Sequence, residues 1–213
     1  MPASWVLVGL MVVVHLYGCW EGASLLGELS TEQRVALGGQ YRSLISAGEW
    51  WRLCSSVFVH ANLVHLLLNA IALYALGRLI EPWLGPIRFA AWFCVGGLAG
   101  SVASHLAGLV QSDGASGGLF ALLGATLVLG WQQRHQLSPE DRRLLGPILL
   151  VFLSFNVLLS FLVPSLDAVG HLGGLAMGVG LAFIIGRRRL PGARVLETLV
   201  LTVFGGAFFY VFR

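Results

Sequence analysis

A serine and a histidine placed in two separate apolar stretches are the residues of this sequence best suited to chemistry. Ser116 stands in Gly114-Ala115-Ser116-Gly117 at the start of one stretch, and His171 lies a few residues inside another. A neutral imidazole has one acceptor and one donor nitrogen, so it can take the serine proton during nucleophilic attack and return it to a leaving amine. The pair suggests hydrolysis carried out within a lipid bilayer.

The neighbours of Ser116 favour the same chemistry. A helix that begins at this serine leaves its first backbone N–H groups without partners inside the helix, and Gly114 and Gly117 allow another backbone to come close. Both features suit the binding of a developing oxyanion. The alternative is a serine at a helix end among small packing residues, because glycine and serine are common wherever membrane helices approach each other.

His171 is followed by glycines at helical spacing. Positions 171, 174 and 178 fall on one face of a helix, so the imidazole rises from a smooth stripe formed by Gly174 and Gly178. Such a stripe packs closely against another helix with small residues. We expect its partner to be the side of the serine-bearing segment formed by Gly117, Ala121 and Gly124.

Asp167 lies one helical turn before His171 and could in principle complete a Ser-His-Asp triad. It follows Pro164-Ser165 at the start of an apolar stretch, where a carboxylate commonly accepts from free backbone N–H groups. We therefore expect Asp167 to cap the helix and leave it out of the catalytic group.

Two further polar residues lie inside an earlier apolar stretch. His65 and Asn69 are four residues apart, so they share one helical face, and His60 lies one turn further out as a candidate organiser of the loop. Polar side chains in hydrocarbon usually face the bundle interior or a wet cavity. Each could instead only bond a neighbouring helix, a gain of about 0.6 kcal/mol.

The long loop at 21–56 precedes these residues. Loops longer than about 15 residues usually carry function or structure of their own, and this one contains Glu49-Trp50-Trp51-Arg52 just before the next apolar stretch. One interpretation is an interfacial aromatic anchor with Arg52 extending to the lipid headgroups. The other is a short amphipathic helix that lies half in the outer leaflet.

The composition defines the setting of these residues. Hydrophobic residues make up 57% of the 213 residues and charged residues 11%, and the mean hydropathy is +0.82, which indicates an integral membrane protein. The net charge of +3 comes from arginines beside apolar segments, not from a basic face with interleaved aromatics. This distribution fits contact with the lipid bilayer and gives no sign of nucleic-acid binding.

Hydropathy predicts an all-α membrane protein in a single domain over residues 1–213. Seven apolar spans are predicted, and all seven prolines are expected at or beside their ends. A core of about 3–186 would be followed by an extra C-terminal helix. The predicted spans are 3–20, 57–81, 86–109, 116–134, 144–163, 167–186 and 194–212.

Charge predicts the orientation of this bundle. With a cytoplasmic N-terminus, nine arginines fall inside and four outside, as the positive-inside rule requires. The first span could instead be a signal peptide with Leu16-Tyr17-Gly18-Cys19 as a lipoprotein box, but no basic region precedes it. We expect a retained helix and a bacterial inner membrane. Pairing of Cys19 with Cys54 is left open by the sequence.

Taken together, these motifs resemble the rhomboid intramembrane serine proteases. The resemblance runs from about Gly48 to Gly186 and rests on four elements in the same order on the same helices. They are Trp51-Arg52 in the outer loop, His65 with Asn69, Gly114 to Gly117 around the serine, and His171 with Gly174 and Gly178. The segment with Gly77, Glu81, Gly85 and Arg88 is similar to the family's inner turn.

The resemblance implies a dyad with Ser116 as nucleophile and His171 as base. It also implies that Asn69, His65 and the Ser116 N–H hold the oxyanion, and that Phe120 packs against His171 where some relatives carry tyrosine. The last span would make a rhomboid-like bundle of six core helices plus one. No cofactor or metal is implied.

The implied substrates are single-span membrane proteins. A substrate helix would enter between the second and fifth spans and unwind before cleavage, because a hydrogen-bonded helix hides its carbonyls. The resemblance implies a cap at Val163 to Asp167 and a gate lined by Leu68 and by Phe152 or Phe155. The sequence does not define the natural substrate or the oligomeric state.

Two other classes of function are compatible with such a chain. A non-catalytic rhomboid-like protein could bind membrane helices, although such proteins usually lack the serine or the histidine. A small transporter could also have seven helices with buried histidines. Against it stand the lack of an internal repeat and of an acidic residue near the centre of a span.

Overall fold

The computed structural model describes residues 2–184 and, beyond them, residues 195, 199, 202–204, 206–207 and 209–210. The described part is mostly helical, with one pair of short strands, β1 (Gln40–Tyr41) and β2 (Gln111–Ser112). A 3₁₀ turn covers Ser56–Phe58 and a π turn covers Leu144–Ile148. The α-helices are α1 Pro2–Trp20, α2 Thr31–Ala36, α3 Arg42–Ser46, α4 Arg52–Ser55, α5 Leu63–Leu84, α6 Pro86–Leu106, α7 Ser116–Gln132, α8 Pro139–Arg143, α9 Leu149–Leu162 and α10 Ala168–Ile184.

The long helices are those of a multi-pass membrane protein. Helices α1, α5 and α6 and the continuous helical stretch Pro139–Leu162 are long and apolar enough to cross a bilayer, while α7 and α10 are shorter apolar helices. The first six predicted spans thus correspond to helices. The predicted seventh span, 194–212, falls largely outside the described residues.

The fifth predicted span differs from its prediction at Pro147. Hydropathy placed Pro147 near the start of a helix at 144, but the helical stretch begins at Pro139, after Ser138 as its N-cap. Pro147 therefore lies inside the stretch, within the π turn Leu144–Ile148. A π turn changes the hydrogen-bond pattern locally and accommodates a residue without an N–H.

The centre of the bundle is the contact among α6, α7 and α10. A Cβ built on Gly178 would lie 1.9 Å from the Ala121 carbonyl oxygen, and one built on Gly174 would lie 2.0 Å from that of Gly117. On the other side of α7, a Cβ on Gly96 of α6 would lie 2.1 Å from the Ala121 Cβ. The predicted glycine stripe is confirmed, and it sets the short distance between the helices that carry Ser116 and His171.

Glu81, a buried carboxylate near the end of α5, joins α5 to α1. Its carboxylate oxygens accept the backbone N–H groups of Ala3 and Ser4, each at 3.1 Å, and so cap the N-terminus of α1. Gly85, with φ +79°, then turns the chain into α6.

The loop at 21–56 is folded against the bundle, and both interpretations of its aromatic motif were wrong for Arg52. The guanidinium does not extend to the membrane surface: Nε donates to Glu49 at 2.6 Å, and one terminal nitrogen donates to the carbonyls of Val35 at 2.7 Å and Gly39 at 3.1 Å. Helix α4 has only four residues and all of them are buried, so it is not amphipathic. Arg52 fastens the loop because one terminal nitrogen bonds two backbone carbonyls of the 35–39 segment while Nε bonds the Glu49 carboxylate. The cysteines Cys19, Cys54 and Cys94 are free.

Candidate active site

Ser116 and His171 meet at the N-terminal ends of α7 and α10. Ser116 is the first residue of α7, and His171 lies in the first turn of α10. The His171 Nε2 and the Ser116 Oγ are 2.8 Å apart, within hydrogen-bond distance. Ser116 and His171 lie close together because Gly174, three residues after His171, packs against Gly117, the residue directly after Ser116.

Two groups hold the His171 ring from other directions. The Phe120 ring lies stacked on the imidazole, with centroids 4.3 Å apart and an interplanar angle of 11°, which is the contact that the resemblance implied. The Ser160 Oγ lies 2.6 Å from Nδ1. Ser160 was missed by the sequence analysis. The sequence shows only that Ser160 lies four residues after Asn156, so that the two polar residues share one face of an apolar helix.

Asp167 does not contact the His171 ring. One carboxylate oxygen accepts the Gly170 N–H at 2.7 Å, as a helix cap does, which confirms the predicted capping role. The other oxygen accepts from Ser112 Oγ at 2.5 Å and from Ser104 Oγ. With these partners the carboxylate ties α10 to α6 and β2, outside any triad.

The residues implied as oxyanion donors lie across from Ser116 on α5. Asn62 caps this helix by accepting the His65 N–H at 2.8 Å, so the helix starts six residues later than the predicted span. The Asn69 side chain donates to the His65 carbonyl at 2.8 Å and is buried. Gly114 has φ +125°, and a Cβ there would lie 2.7 Å from the His65 Cε1. Gly114 therefore lets the imidazole of His65 approach the serine loop.

His60 supports the segment that precedes Ser116. Its Nε2 accepts the Ala115 N–H at 3.4 Å, so its Nδ1 donates to the Phe58 carbonyl at 3.2 Å. Burial, with a smaller contribution from the nearby His65, lowers the pKa of His60 to about 3. The neutral His60 ring bonds the Phe58 carbonyl and the Ala115 N–H, as expected of a residue that organises the loop.

Asp113, just before the serine motif, was also missed by the sequence analysis. Its carboxylate accepts the Gln40 N–H at 2.7 Å and the Gln111 side chain at 3.1 Å, and it lies 3.7 Å from Arg34. Burial raises the pKa of Asp113 to about 6, against the lowering effect of these partners. The carboxyl joins the loop at 21–56 to the segment that carries Ser116.

Two cavities of different character meet at the dyad. A polar cavity of about 110 Å³ leads to it past Arg34, Gln111 and Asp113. An apolar groove of about 420 Å³ runs between α5 and α9. Both cavities are lined by His65, Ser116, Leu166 and His171.

The residues implied for the gate and cap divide between these cavities. Leu68 and Phe152 line the groove. Phe155 does not line it and is 61% exposed. In the 163–167 segment, Leu166 lines both cavities, and Ser165 and Asp167 line the polar one.

Comparison with known proteins agrees with a helical membrane bundle. A Rhomboid domain matches residues 47–188, more than half of the chain. The chain belongs to the rhomboid family.

Individual relatives include proteins named as proteases. Rhomboid protease GluP of Bacillus subtilis is 34% identical over 186 residues, which cover 86% of this chain and 36% of that protein. RHOMBOID-like protein 5 of Arabidopsis thaliana is 36% identical over 155 residues, or 70% and 48% of the two chains. Putative rhomboid protease YdcA of Bacillus subtilis is 29% identical over 146 residues, or 68% and 71%. The chain thus spans less than half the length of the first two relatives.

Proposed function

We propose that this protein is an intramembrane serine endopeptidase that cleaves the transmembrane or juxtamembrane segment of single-span membrane proteins. The observation that carries the proposal is the 2.8 Å contact between Ser116 Oγ and His171 Nε2, at the point where a polar cavity meets an apolar groove. Hydrolysis of a membrane segment needs water from one side and the substrate from the other, and this position offers both.

The reaction follows from the two side chains. The Ser116 Oγ attacks a substrate carbonyl carbon while its proton passes to His171 Nε2, and the resulting imidazolium then protonates the departing amine as the C–N bond breaks. Water from the polar cavity hydrolyses the acyl-enzyme, with His171 acting as base again. General acid–base help of this kind contributes about 10²–10⁴-fold.

The oxyanion of the tetrahedral intermediate would be held by the Ser116 N–H, His65 and Asn69. The Ser116 N–H is at the N-terminus of α7, where the helix dipole favours negative charge. His65 and Asn69 face the same space from α5. Removal of one such donor commonly lowers kcat by about 10²–10³-fold.

The substrate segment would enter along the groove between α5 and α9, past Leu68 and Phe152. Its walls are apolar, so a membrane helix can enter without losing its hydrophobic surroundings. Near the dyad the helix must unwind, and small or helix-breaking residues lower that cost.

The orientation of the proposed enzyme in the membrane is inferred from the charge pattern. We place residues 1–213 in a single domain with a six-helix core and an extra C-terminal helix. Its N-terminus would be in the cytoplasm of a bacterium and its active site would open to the outer side of the inner membrane. The arginine distribution supports this orientation.

The decisive experiment compares variants of the purified protein on a model single-span substrate in liposomes. Cleavage by the wild type should be lost in Ser116→Ala and in His171→Ala. Ser154 is an exposed serine on α9, and the control variant Ser154→Ala should cleave like the wild type. Binding of the substrate with no cleavage by the wild type, or cleavage undiminished by both dyad substitutions, would contradict the proposed enzyme.

A further inference from the structure

Ser160 contacts the ring nitrogen of His171 that faces away from Ser116. It lies in the last turn of α9, is 4% exposed, and its Oγ is 2.6 Å from the His171 Nδ1. The same oxygen is 2.7 Å from the backbone carbonyl of Asn156 one turn earlier. His171 is thereby contacted by a hydroxyl on each ring nitrogen, Ser160 at Nδ1 and Ser116 at Nε2.

The hydrogen-bond partners of Ser160 determine which His171 nitrogen carries the ring proton. A serine hydroxyl has one hydrogen, and a carbonyl oxygen can only accept. In its contact with the Asn156 carbonyl, Ser160 therefore donates, and towards His171 it must accept. The Nδ1 of a neutral His171 then carries the ring proton, and Nε2 keeps the lone pair that faces Ser116.

We propose that Ser160 is a positioning residue that selects the His171 tautomer able to accept the Ser116 proton. This inference rests on the proposed function, in which Nε2 acts as the base. Ser160 would fix the tautomer of His171, which is one of the two tasks of the carboxylate in a triad, while the stacked Phe120 holds the ring orientation. It does so without a second charge.

The surroundings explain why a neutral group suits this position. The groove beside Ser160 is lined mainly by leucine, alanine and phenylalanine side chains, where an ionised carboxylate is costly to bury. The Asp167 carboxylate, one turn before His171, is already bonded to the Gly170 N–H and to Ser112 and Ser104. The hydroxyl of Ser160 leaves the ring uncharged before catalysis.

Ser160 and Phe120 constrain different properties of the imidazole. The stacked Phe120 ring limits movement of the imidazole out of its plane, but it does not distinguish the two tautomers. Loss of the Ser160 hydroxyl therefore leaves the ring in place and removes the preference for a proton on Nδ1.

The test measures the tautomer directly in the full-length protein. Histidine labelled with ¹⁵N distinguishes protonated from unprotonated ring nitrogens, and the His171 signals are assigned by their loss in His171→Gln. We expect a protonated Nδ1 in the wild type and in Ser160→Thr, which keeps the hydroxyl. Ser160→Ala should give a mixture of tautomers. A protonated Nε2 in the wild type, or an unchanged spectrum in Ser160→Ala, overturns the proposal.

The second readout is the rate of labelling of Ser116 by a fluorophosphonate, which needs no natural substrate. Ser160→Ala should label more slowly by about 10²-fold, the lower end of the contribution of general acid–base catalysis. Ser160→Thr should recover most of the rate, and Ser154→Ala, also on α9 but exposed, should match the wild type. Equal rates in Ser160→Ala and the wild type would contradict the proposal.

These results separate the two proposals. If the protein is no protease, the wild type fails to cleave membrane substrates or cleaves them without Ser116, while the tautomer spectrum remains readable. If only the role of Ser160 is wrong, Ser116→Ala abolishes cleavage and Ser160→Ala leaves the spectrum and the labelling rate unchanged. Equal thermal melting temperatures of Ser160→Ala and Ser160→Thr exclude a loss of fold as the cause of their difference.

Discussion

Phe120 and His171 lie face to face, with ring centroids 4.3 Å apart and an interplanar angle of 11°. The contact joins α7 to α10 one turn below Ser116 and keeps the imidazole aligned with the hydroxyl. Phe120→Leu removes the flat ring but keeps an apolar side chain, so we expect slower cleavage of a model substrate with little change in melting temperature. Phe120→Tyr keeps the ring and should retain activity. A fully active Phe120→Leu would show that stacking does not orient His171.

The close packing of Gly178 on Ala121 gives a prediction on stability. A Cβ at Gly178 would lie 1.9 Å from the Ala121 carbonyl oxygen, which is fixed backbone. Gly178→Ala must push α10 away from α7, and overpacking of this kind costs about 1–3 kcal/mol. We expect a lower melting temperature and weaker cleavage, because the same contact sets the distance between Ser116 and His171.

The matched control is Gly180→Ala on the same helix. Among the described residues, no atom outside the backbone of its own helix lies within 4 Å of a Cβ at Gly180, and alanine has the higher helix propensity. Its melting temperature should equal or exceed that of the wild type. If Gly178→Ala and Gly180→Ala melt together, the helices are less tightly packed than the structure indicates.

Gly114 should be more sensitive to substitution than another glycine with positive φ. Gly114 has φ +125°, and a Cβ there would lie 2.7 Å from the His65 Cε1. Gly48 has φ +109°, and in the part of the chain that the structure describes no atom beyond its chain neighbours lies within 4 Å of a Cβ there. Both alanine variants carry backbone strain of about 1–3 kcal/mol, but only Gly114→Ala displaces His65. We expect Gly114→Ala to lose most cleavage and Gly48→Ala to lose stability alone; equal activity of the two would refute a role for this contact.

Much of the site was predictable because its residues are exceptions within apolar segments. Ser116 and His171 are polar residues in hydrocarbon, and the spacing of Gly174 and Gly178 identified the face on which the helices meet. The position of Asp167 after a proline likewise predicted its capping role. Each of these inferences needs only the local sequence and the period of a helix.

The contacts that were missed depend on how separate segments cross. Ser160 reaches His171 because α9 ends beside the start of α10, and a helical period does not define that crossing. Arg52 is buried because the loop at 21–56 folds back on it and supplies carbonyls from Val35 and Gly39. Pro147 remains inside a helix through a π turn, which the general preference of proline for helix ends does not anticipate.

The buried carboxyl of Asp113 should make stability depend on pH in an unusual direction. Burial raises the pKa of Asp113 to about 6 in the folded protein, above its unfolded value of about 3.9. The folded state then binds the proton more tightly than the unfolded state, so this group lowers the free energy of unfolding as the pH rises from about 4 to about 6. Most paired carboxylates act in the opposite direction.

Asp113→Asn removes this titration, and Glu32→Gln is its matched control. The pKa of Glu32 is lowered, chiefly by a hydrogen bond from Ser30, so its ionised form favours the folded state. We would measure melting temperatures in detergent between about pH 4 and pH 7, the range that spans the pKa of Asp113. Relative to the wild type, Asp113→Asn should lose less stability as the pH rises, whereas Glu32→Gln should not reduce that loss. Parallel melting curves for Asp113→Asn and the wild type across this range would show that Asp113 titrates at its ordinary pKa.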